Sequence, residues 1–196
     1  MYRKIIRRSI LLIVLLLLIN YLFNNSGFYI TESKAIRDSY PYKNGDVIYE
    51  KEYENKKIII LKTSDVNYVK LIGFKLGMFY HVSNIAELYF MTPLIGKEGD
   101  IKRTWSASLN SNELYETMIA VESENPEIKR VIVSNDNIDN VILDDLEEIK
   151  ENSTVFLELK LEDGFAASYL ELYSKDVGGF IFRGVNEKGE IITLGR

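Results

Sequence analysis

One histidine, His81, stands between Tyr80 and Val82 in a stretch with strand character. A serine hydrolase needs a histidine base beside a nucleophile and an orienting acid. The sequence has no G-x-S-x-G turn that would present such a serine. A packed or half-exposed structural histidine is therefore the stronger interpretation of His81. A zinc site would depend mainly on carboxylates, because the chain has no cysteine, and such sites are uncommon.

Oxygen-bearing side chains cluster at 135–140, in the order Asn-Asp-Asn-Ile-Asp-Asn. Closely spaced Asp and Asn side chains are typical calcium ligands. The stretch departs from the calcium-loop template, since Asn140 occupies the glycine position and Leu146 the twelfth position. A polar turn between strands fits better. The acids that follow, at 144–148, are interpreted as a solvated turn or a short helical face.

Paired carboxylates could hydrolyse glycosidic bonds if the fold placed two of them across a cleft. Glu50, Glu52 and Glu54 alternate along one predicted strand and so share a face, for which solvent exposure is the simpler explanation. We predict no catalytic residue, no metal and no cofactor, and the sequence favours a protein that is not an enzyme. An envelope hydrolase that uses a carboxylate pair stays open as the alternative.

Aromatic residues are the unusual feature of the composition, with 13 Tyr, 9 Phe and 1 Trp. Strands favour aromatic residues, which accounts for most of them. Around Phe79 and around Tyr89, however, there are more aromatic residues than a single buried face of a strand requires. Because exposed tyrosines combine a large contact area with a polar tip, we predict a binding surface there. Its candidate residues are Phe79, Tyr80, His81, Tyr89 and Phe90.

The N-terminal segment is apolar over residues 10–23, interrupted by Asn20, and free of charge over 9–31. About 20 apolar residues cross a bilayer as a helix, and basic flanks stay in the cytoplasm. The sequence therefore predicts a cytoplasmic flank at 1–8, a transmembrane signal-anchor helix at 9–27, and an extracytoplasmic remainder. A cleaved signal peptide is the competing interpretation, although the small residues of a cleavage site are missing. The basic residues in front are Arg3, Lys4, Arg7 and Arg8.

Charge excludes one class of partner. Without the four N-terminal basic residues, 20 basic residues face 29 acidic ones, so the remainder carries a net charge of −9. Binding to a phosphate backbone relies on clustered Lys and Arg. We therefore expect that the protein does not bind nucleic acid. The expected partners are the lipid bilayer, contacted through the N-terminal helix, and an envelope protein or glycan.

The remainder of the chain predicts a mainly β fold, a sandwich or barrel of antiparallel sheets with one short helix. A spacer at 28–45, which holds a short helix over 31–40 capped by Thr31, precedes a β-rich domain at 46–196. The Pro, Gly and Ser content of 92–112 marks a candidate division into two halves. Turn residues are predicted at 125–127 and 186–189, and the clearest apolar alternation lies at 154–161.

Three short stretches carry a resemblance: Gly-Asp-Val-Ile-Tyr-Glu-Lys-Glu-Tyr at 45–53, Asn-Pro-Glu-Ile-Lys-Arg-Val at 125–131, and Glu-Lys-Gly-Glu-Ile at 187–191. With them the chain resembles membrane-anchored or lipid-linked extracytoplasmic β-rich domain proteins of Gram-positive bacteria, a group without an assigned activity. The resemblance implies a location in the cell envelope and supplies no catalytic residue. The function expected from the sequence is a non-enzymatic binding or interaction module.

Overall fold

The computed structural model describes residues 2–25, 27–40, 45–75, 79–136 and 145–196. Its helices are α1 (Tyr2–Asn25), α2 (Glu32–Asp38) and α3 (Leu146–Glu151), with a 3-10 turn at Ser174–Asp176. The strands are β1 (Phe28–Tyr29), β2 (Asp46–Tyr53), β3 (Lys56–Lys62), β4 (Asn67–Lys75), β5 (Phe79–Glu87), β6 (Tyr89–Phe90), β7 (Pro93–Ile95), β8 (Lys102–Leu109), β9 (Tyr115–Glu122), β10 (Arg130–Ser134), β11 (Phe156–Lys160), β12 (Phe165–Leu172), β13 (Ile181–Val185) and β14 (Ile191–Gly195).

Three antiparallel sheets make up the β-rich part. The N-terminal sheet has the strand order β1-β5-β4-β3-β2, the central sheet β12-β9-β8-β6, and the C-terminal sheet β11-β10-β13-β14-β7. Every strand pair of the described chain is antiparallel. The predicted mainly β class is confirmed, and its form is a sandwich of three layers.

The central sheet is buried on both faces. In β9, Met118 and Ala120 face a core shared with the N-terminal sheet, whereas Ile119 and Val121 face a core shared with the C-terminal sheet. Successive residues of a strand point to opposite faces, so burial on both sides requires an unbroken apolar run instead of alternation. This requirement explains the sequence Met-Ile-Ala-Val at 118–121.

Helix α2 covers the outer face of the N-terminal sheet. The Thr31 hydroxyl accepts a hydrogen bond from the Lys34 amide at 3.3 Å, so the predicted N-cap is confirmed. Ala35 packs on Ile59 and Ile72 in a third, smaller apolar cluster. The linker and helix are thereby fixed to the sheet that follows them in sequence.

A salt-bridge cluster on Lys57 holds the same helix at its first turn. The Lys57 ammonium lies 2.8 Å from the Glu32 carboxylate of α2 and 3.0 Å from that of Glu52. Hydrogen bonds to these two carboxylates raise the pKa of Lys57 above its ordinary value. Glu50 also approaches, at 3.6 Å, so the polar face predicted for β2 is a solvated one that also contacts this lysine.

Helix α1 requires a correction. Among the described residues, no helix has both the length and the apolar character needed to cross a membrane. The predicted transmembrane helix at 9–27 is therefore wrong. Helix α1 begins at Tyr2, so its first turns hold the basic residues, and Asn20 ends the unbroken apolar run 10–19. That run is about 15 Å long at 1.5 Å per residue, against roughly 30 Å of hydrocarbon.

The segment 92–112, where the sequence suggested a division, is part of the sandwich. Strand β8 lies inside it and pairs with β9 along its whole length. The chain leaves the N-terminal sheet at Glu87, passes the buried Leu88, and enters the central sheet at Tyr89. Leu88 packs in the core between the two sheets, which ties this crossing point to the interior.

Candidate functional site

The five aromatic and histidine residues predicted as one binding surface fall into two groups. Phe79 and His81 begin β5 and pack against Phe28 of β1, with ring centroids 6.5 Å and 5.1 Å apart. Tyr80 packs on Phe74 at 5.3 Å. These rings are half-buried, and their contacts join β5 to its neighbours β1 and β4, which is a structural role.

Tyr89 and Phe90 form the second group, and they make up strand β6. Their side chains are 56% and 60% exposed. Strand β5 separates the groups, and nine extended residues span on the order of 25 Å. The structure therefore does not bring the two groups together. Tyr89 and Phe90 form an exposed pair at the edge of the central sheet, named the aromatic ridge below.

A large cleft of about 910 Å³ opens on one side of the aromatic ridge. Strands of the N-terminal and central sheets contribute to its walls, together with residues that flank β10 and β11 of the C-terminal sheet. Turns supply much of the remaining surface. Its lining includes Ile48, Lys62, Thr63, Ser64, Asp65, Val66, Asn67, Leu88, Tyr89, Phe90, Lys102, Glu122, Ser123, Glu124, Asn125, Pro126, Ile128, Lys129, Leu161, Asp163, Gly164 and Phe165.

A buried carboxylate forms the polar floor of the large cleft. Glu122, at the end of β9, is 5% exposed. One of its oxygens accepts a hydrogen bond from the Lys102 ammonium at 2.7 Å, and the other accepts one from the Asn67 side-chain amide at 2.8 Å. The Lys102 nitrogen also lies 5.2 Å from the centre of the Phe90 ring, a cation–π distance. The ridge and the floor are thus one connected arrangement.

A smaller groove of about 450 Å³ shares Tyr89 with the large cleft. Tyr40, Tyr68, Arg103 and Trp105 contribute to its walls. Burial lowers the pKa of Arg103, whose guanidinium lies 5.7 Å from the Phe182 ring centre. Strand β6 pairs with only the first two residues of β8, so the rest of β8 has one partner strand in the described sheet. The groove follows that edge.

Tyr89 is held in place by its own neighbour in the chain. Its hydroxyl donates a 2.6 Å hydrogen bond to the Glu87 carboxylate. This bond raises the pKa of Tyr89, because the carboxylate favours the protonated phenol. The bond restrains the ring, which lines both depressions while most of its surface stays in contact with solvent.

The acids of the large cleft do not form an evident catalytic pair. Asp65, Glu124 and Asp163 are exposed, and Glu122 is ion-paired with Lys102. In the described part of the chain, no three Asp, Glu or His side chains are placed to hold a metal ion.

The stretch with calcium-like spacing is only partly described. Asn135 uses its side-chain oxygen to accept from the Thr154 and Val155 amides, at 3.0 Å and 2.8 Å. Asp136 is buried against Arg183. Residues 137–144 lie outside the described chain. Asp145 caps α3, so of the two interpretations of 144–148, a solvated turn or a short helical face, the structure shows the helix.

Comparisons with family models, with curated proteins and with solved structures found no match to this chain. The chain is therefore described by its architecture: it is a three-layer antiparallel β sandwich with an aromatic ridge beside a polar cleft. The resemblance to envelope-anchored β-rich domain proteins remains a prediction.

Sequence reasoning missed the floor of the cleft. Glu122 directly follows the apolar run of β9, and a carboxylate in that position is a signal that could have been read. Its partners could not be found in this way, since Asn67 lies 55 residues and Lys102 lies 20 residues away in sequence. Only the stacking of the sheets brings the three side chains together.

We expect Lys102→Met to lower the free energy of unfolding by about 1–3 kcal/mol, because it leaves a charge on a nearly buried Glu122 with one hydrogen-bond donor. Urea unfolding at pH 7 measures the change. Lys129→Met is the matched control, since Lys129 faces Glu187 at 3.8 Å on the surface and its loss should cost less than about 0.5 kcal/mol. Equal effects of the two substitutions would contradict this assignment.

Proposed function

We propose that this protein is an exported, non-enzymatic binding module of the cell envelope, and that the aromatic ridge is its contact surface. The exposure of Tyr89 and Phe90 beside a large cleft carries this proposal. Aromatic side chains lose little conformational entropy on binding and bury much area, so they dominate many recognition surfaces. An envelope protein or a glycan fits such a surface.

The hydrogen bonds and the ion pair of Glu122 in the cleft floor favour a binding function over hydrolysis. Both oxygens of Glu122 accept hydrogen bonds inside the protein, and its charge is balanced by Lys102 at 2.7 Å. An acid of this kind maintains the shape and polarity of the surface. The three exposed acids of the cleft, Asp65, Glu124 and Asp163, are in contact with solvent.

Export is part of the same proposal and is supported by the N-terminal segment. The side chains from Ile10 to Leu18 in α1 are 50–67% exposed, and basic residues precede them. A continuous apolar surface of this size is unfavourable in water, so we expect another apolar surface to cover it. A basic cluster ahead of an apolar run is also the pattern of export segments.

The ridge is tested by substitution. We expect Tyr89→Ala and Phe90→Ala each to weaken binding to an isolated bacterial envelope fraction tenfold or more, which corresponds to about 1.4 kcal/mol. Co-sedimentation of the full chain with that fraction measures the affinity. Tyr173→Ala is the matched control, because Tyr173 is 66% exposed but does not line the large cleft or the groove.

Two outcomes would overturn the proposal. One is wild-type affinity in both ridge variants. The other is turnover: release of soluble sugar from cell-wall material by the wild type, lost in Glu122→Gln, would identify a hydrolase instead. The same samples serve both measurements, so binding and hydrolysis are compared directly.

A further inference from the structure

The charge of the large cleft limits the chemistry of its ligand. Three lysines line it, and so do four acids. Lys102 and Glu122 neutralise one another at 2.7 Å, which leaves two lysines and three acids around the rim. A site for a phosphate chain or another polyanion would show an excess of cations, and a site for a polycation an excess of acids. A nearly balanced cleft suits a neutral polar molecule.

The floor keeps hydrogen-bonding capacity of both kinds. A lysine ammonium has three donors and a carboxylate about four acceptor positions. Lys102 donates one hydrogen bond to Glu122, and Glu122 accepts two in all. Asn67 uses its amide N–H on Glu122, so its side-chain carbonyl oxygen still accepts. The donors of Lys102 and the acceptors of Glu122 and Asn67 therefore lie within a few ångströms of one another, and a hydroxyl group, which both donates and accepts, matches such a surface.

The ridge adds an apolar face to this polar floor. Lys102 lies over the Phe90 ring at 5.2 Å from its centroid, yet the Phe90 side chain is 60% exposed. Apolar C–H groups favour such a ring because contact removes both surfaces from water. The cleft therefore presents a flat apolar ring next to groups that bind hydroxyls. At about 910 Å³, it has the volume of a site for a ligand of several rings.

We propose that the large cleft binds a neutral saccharide strand, with one sugar ring stacked on Phe90 and its hydroxyls on Lys102, Glu122 and Asn67. This inference rests on the proposed function and names its ligand class. Sugar rings have one face of C–H groups and an equatorial rim of hydroxyls, which is the combination that the ring and the floor present. A purely apolar ligand would leave the buried charges without new partners.

Calorimetric titration of the full chain tests the inference with a panel of neutral oligosaccharides, the hexamers of N-acetylglucosamine, glucose and galactose. A sulfated hexasaccharide serves as the anionic comparison. We expect at least one neutral hexamer to bind, and the sulfated one to bind at least tenfold more weakly. Phe90→Ala should weaken binding of the neutral hexamer at least tenfold, whereas Phe90→Tyr and Tyr173→Ala should retain it.

The outcomes separate this inference from the proposed function. If no neutral saccharide binds, but the ridge variants lose binding to the envelope fraction, the saccharide is not the ligand. The proposed function as a binding module is then retained. Stronger binding of the sulfated hexamer overturns the neutral class. Unchanged saccharide affinity in Phe90→Ala overturns the site. Thermal unfolding of each variant shows that it is folded. Asn67→Asp places a second carboxylate beside Glu122, and we expect it to weaken binding of the neutral hexamer independently of Phe90.

Discussion

Replacing Asp136 by alanine is expected to lower the free energy of unfolding by about 3–5 kcal/mol, because it leaves the Arg183 guanidinium buried without its countercharge. Both side chains are fully buried. Arg183 donates to the two Asp136 oxygens at 3.0 Å and 2.7 Å, in a bidentate pair, and also to the Ser134 hydroxyl at 2.6 Å. Ser134 in turn donates to Asp136. Urea unfolding at pH 7 measures the loss.

Two further variants distinguish a buried pair from a surface one. Replacing both partners, Asp136→Leu with Arg183→Met, should recover most of the lost stability, since no unpaired charge remains. Glu158→Ala removes a pair from the same sheet that is partly exposed, Arg130 with Glu158 at 2.7 Å, and should cost less than about 1 kcal/mol. A double variant no more stable than Asp136→Ala would contradict the interpretation.

The same pair makes stability depend on acid. Burial alone would raise the pKa of Asp136, but hydrogen bonds from Arg183 and Ser134 and the guanidinium charge outweigh it, so the pKa is lowered. The unfolded chain therefore takes up a proton near its ordinary pKa of about 3.9, before the folded chain does. The contribution of Asp136 is complete above that value and is lost as the pH falls below it. Asp136→Ala should lack this part of the acid dependence.

Lys70 is expected to make the protein more stable relative to its Lys70→Met variant as the pH rises. Its ammonium is fully buried below α2 and donates to the Ile36 carbonyl at 2.6 Å, and to the Ser39 hydroxyl and carbonyl at 2.8 Å and 3.3 Å. None of these acceptors carries a full charge. Desolvation lowers the pKa of Lys70 to about 8.

The sign follows from proton binding. Between about pH 8 and 10.5 the unfolded chain keeps the Lys70 proton while the folded chain releases it, so stability rises with pH. From pH 7 to pH 9.5 the gain amounts to about 2 kcal/mol. Tyr53 and Tyr169, whose pKa values are raised, act in the opposite direction, so the wild type is compared with Lys70→Met at each pH. A constant difference between the two proteins across this range would contradict the prediction.

Local structure could be predicted where a few neighbouring residues determine it. The Asn125 side chain accepts from the Glu127 amide at 3.0 Å, as expected for the Asn-Pro turn. Gly189 has a φ of +87° in the predicted hairpin loop. In β11, Leu157 and Leu159 face the core as the alternation of 154–161 predicts. Each of these depends on contacts within a few residues.

Prediction failed where sheets or chain segments meet. Val47 and Tyr49 would share one face of a regular strand, but a register shift between them interrupts β2, and Val47 is exposed. The predicted binding surface is split for a similar reason. Phe79 and Tyr89 are close in sequence, but their spacing does not reveal that an extended strand, β5, holds them apart. The burial of Lys70 depends on a helix more than 30 residues earlier, which no local pattern reveals.

The double burial of the central sheet has a consequence for how the protein comes apart. Strand β9 contributes alternate side chains to both apolar cores, and its neighbour β12 does the same through Ala166 and Ala167. Removing the N-terminal sheet would expose the second face of the strands that the C-terminal core needs. The two cores therefore share their structural elements and lose them together. Unfolding should be a single cooperative event, with the β9 amides the last to exchange with solvent.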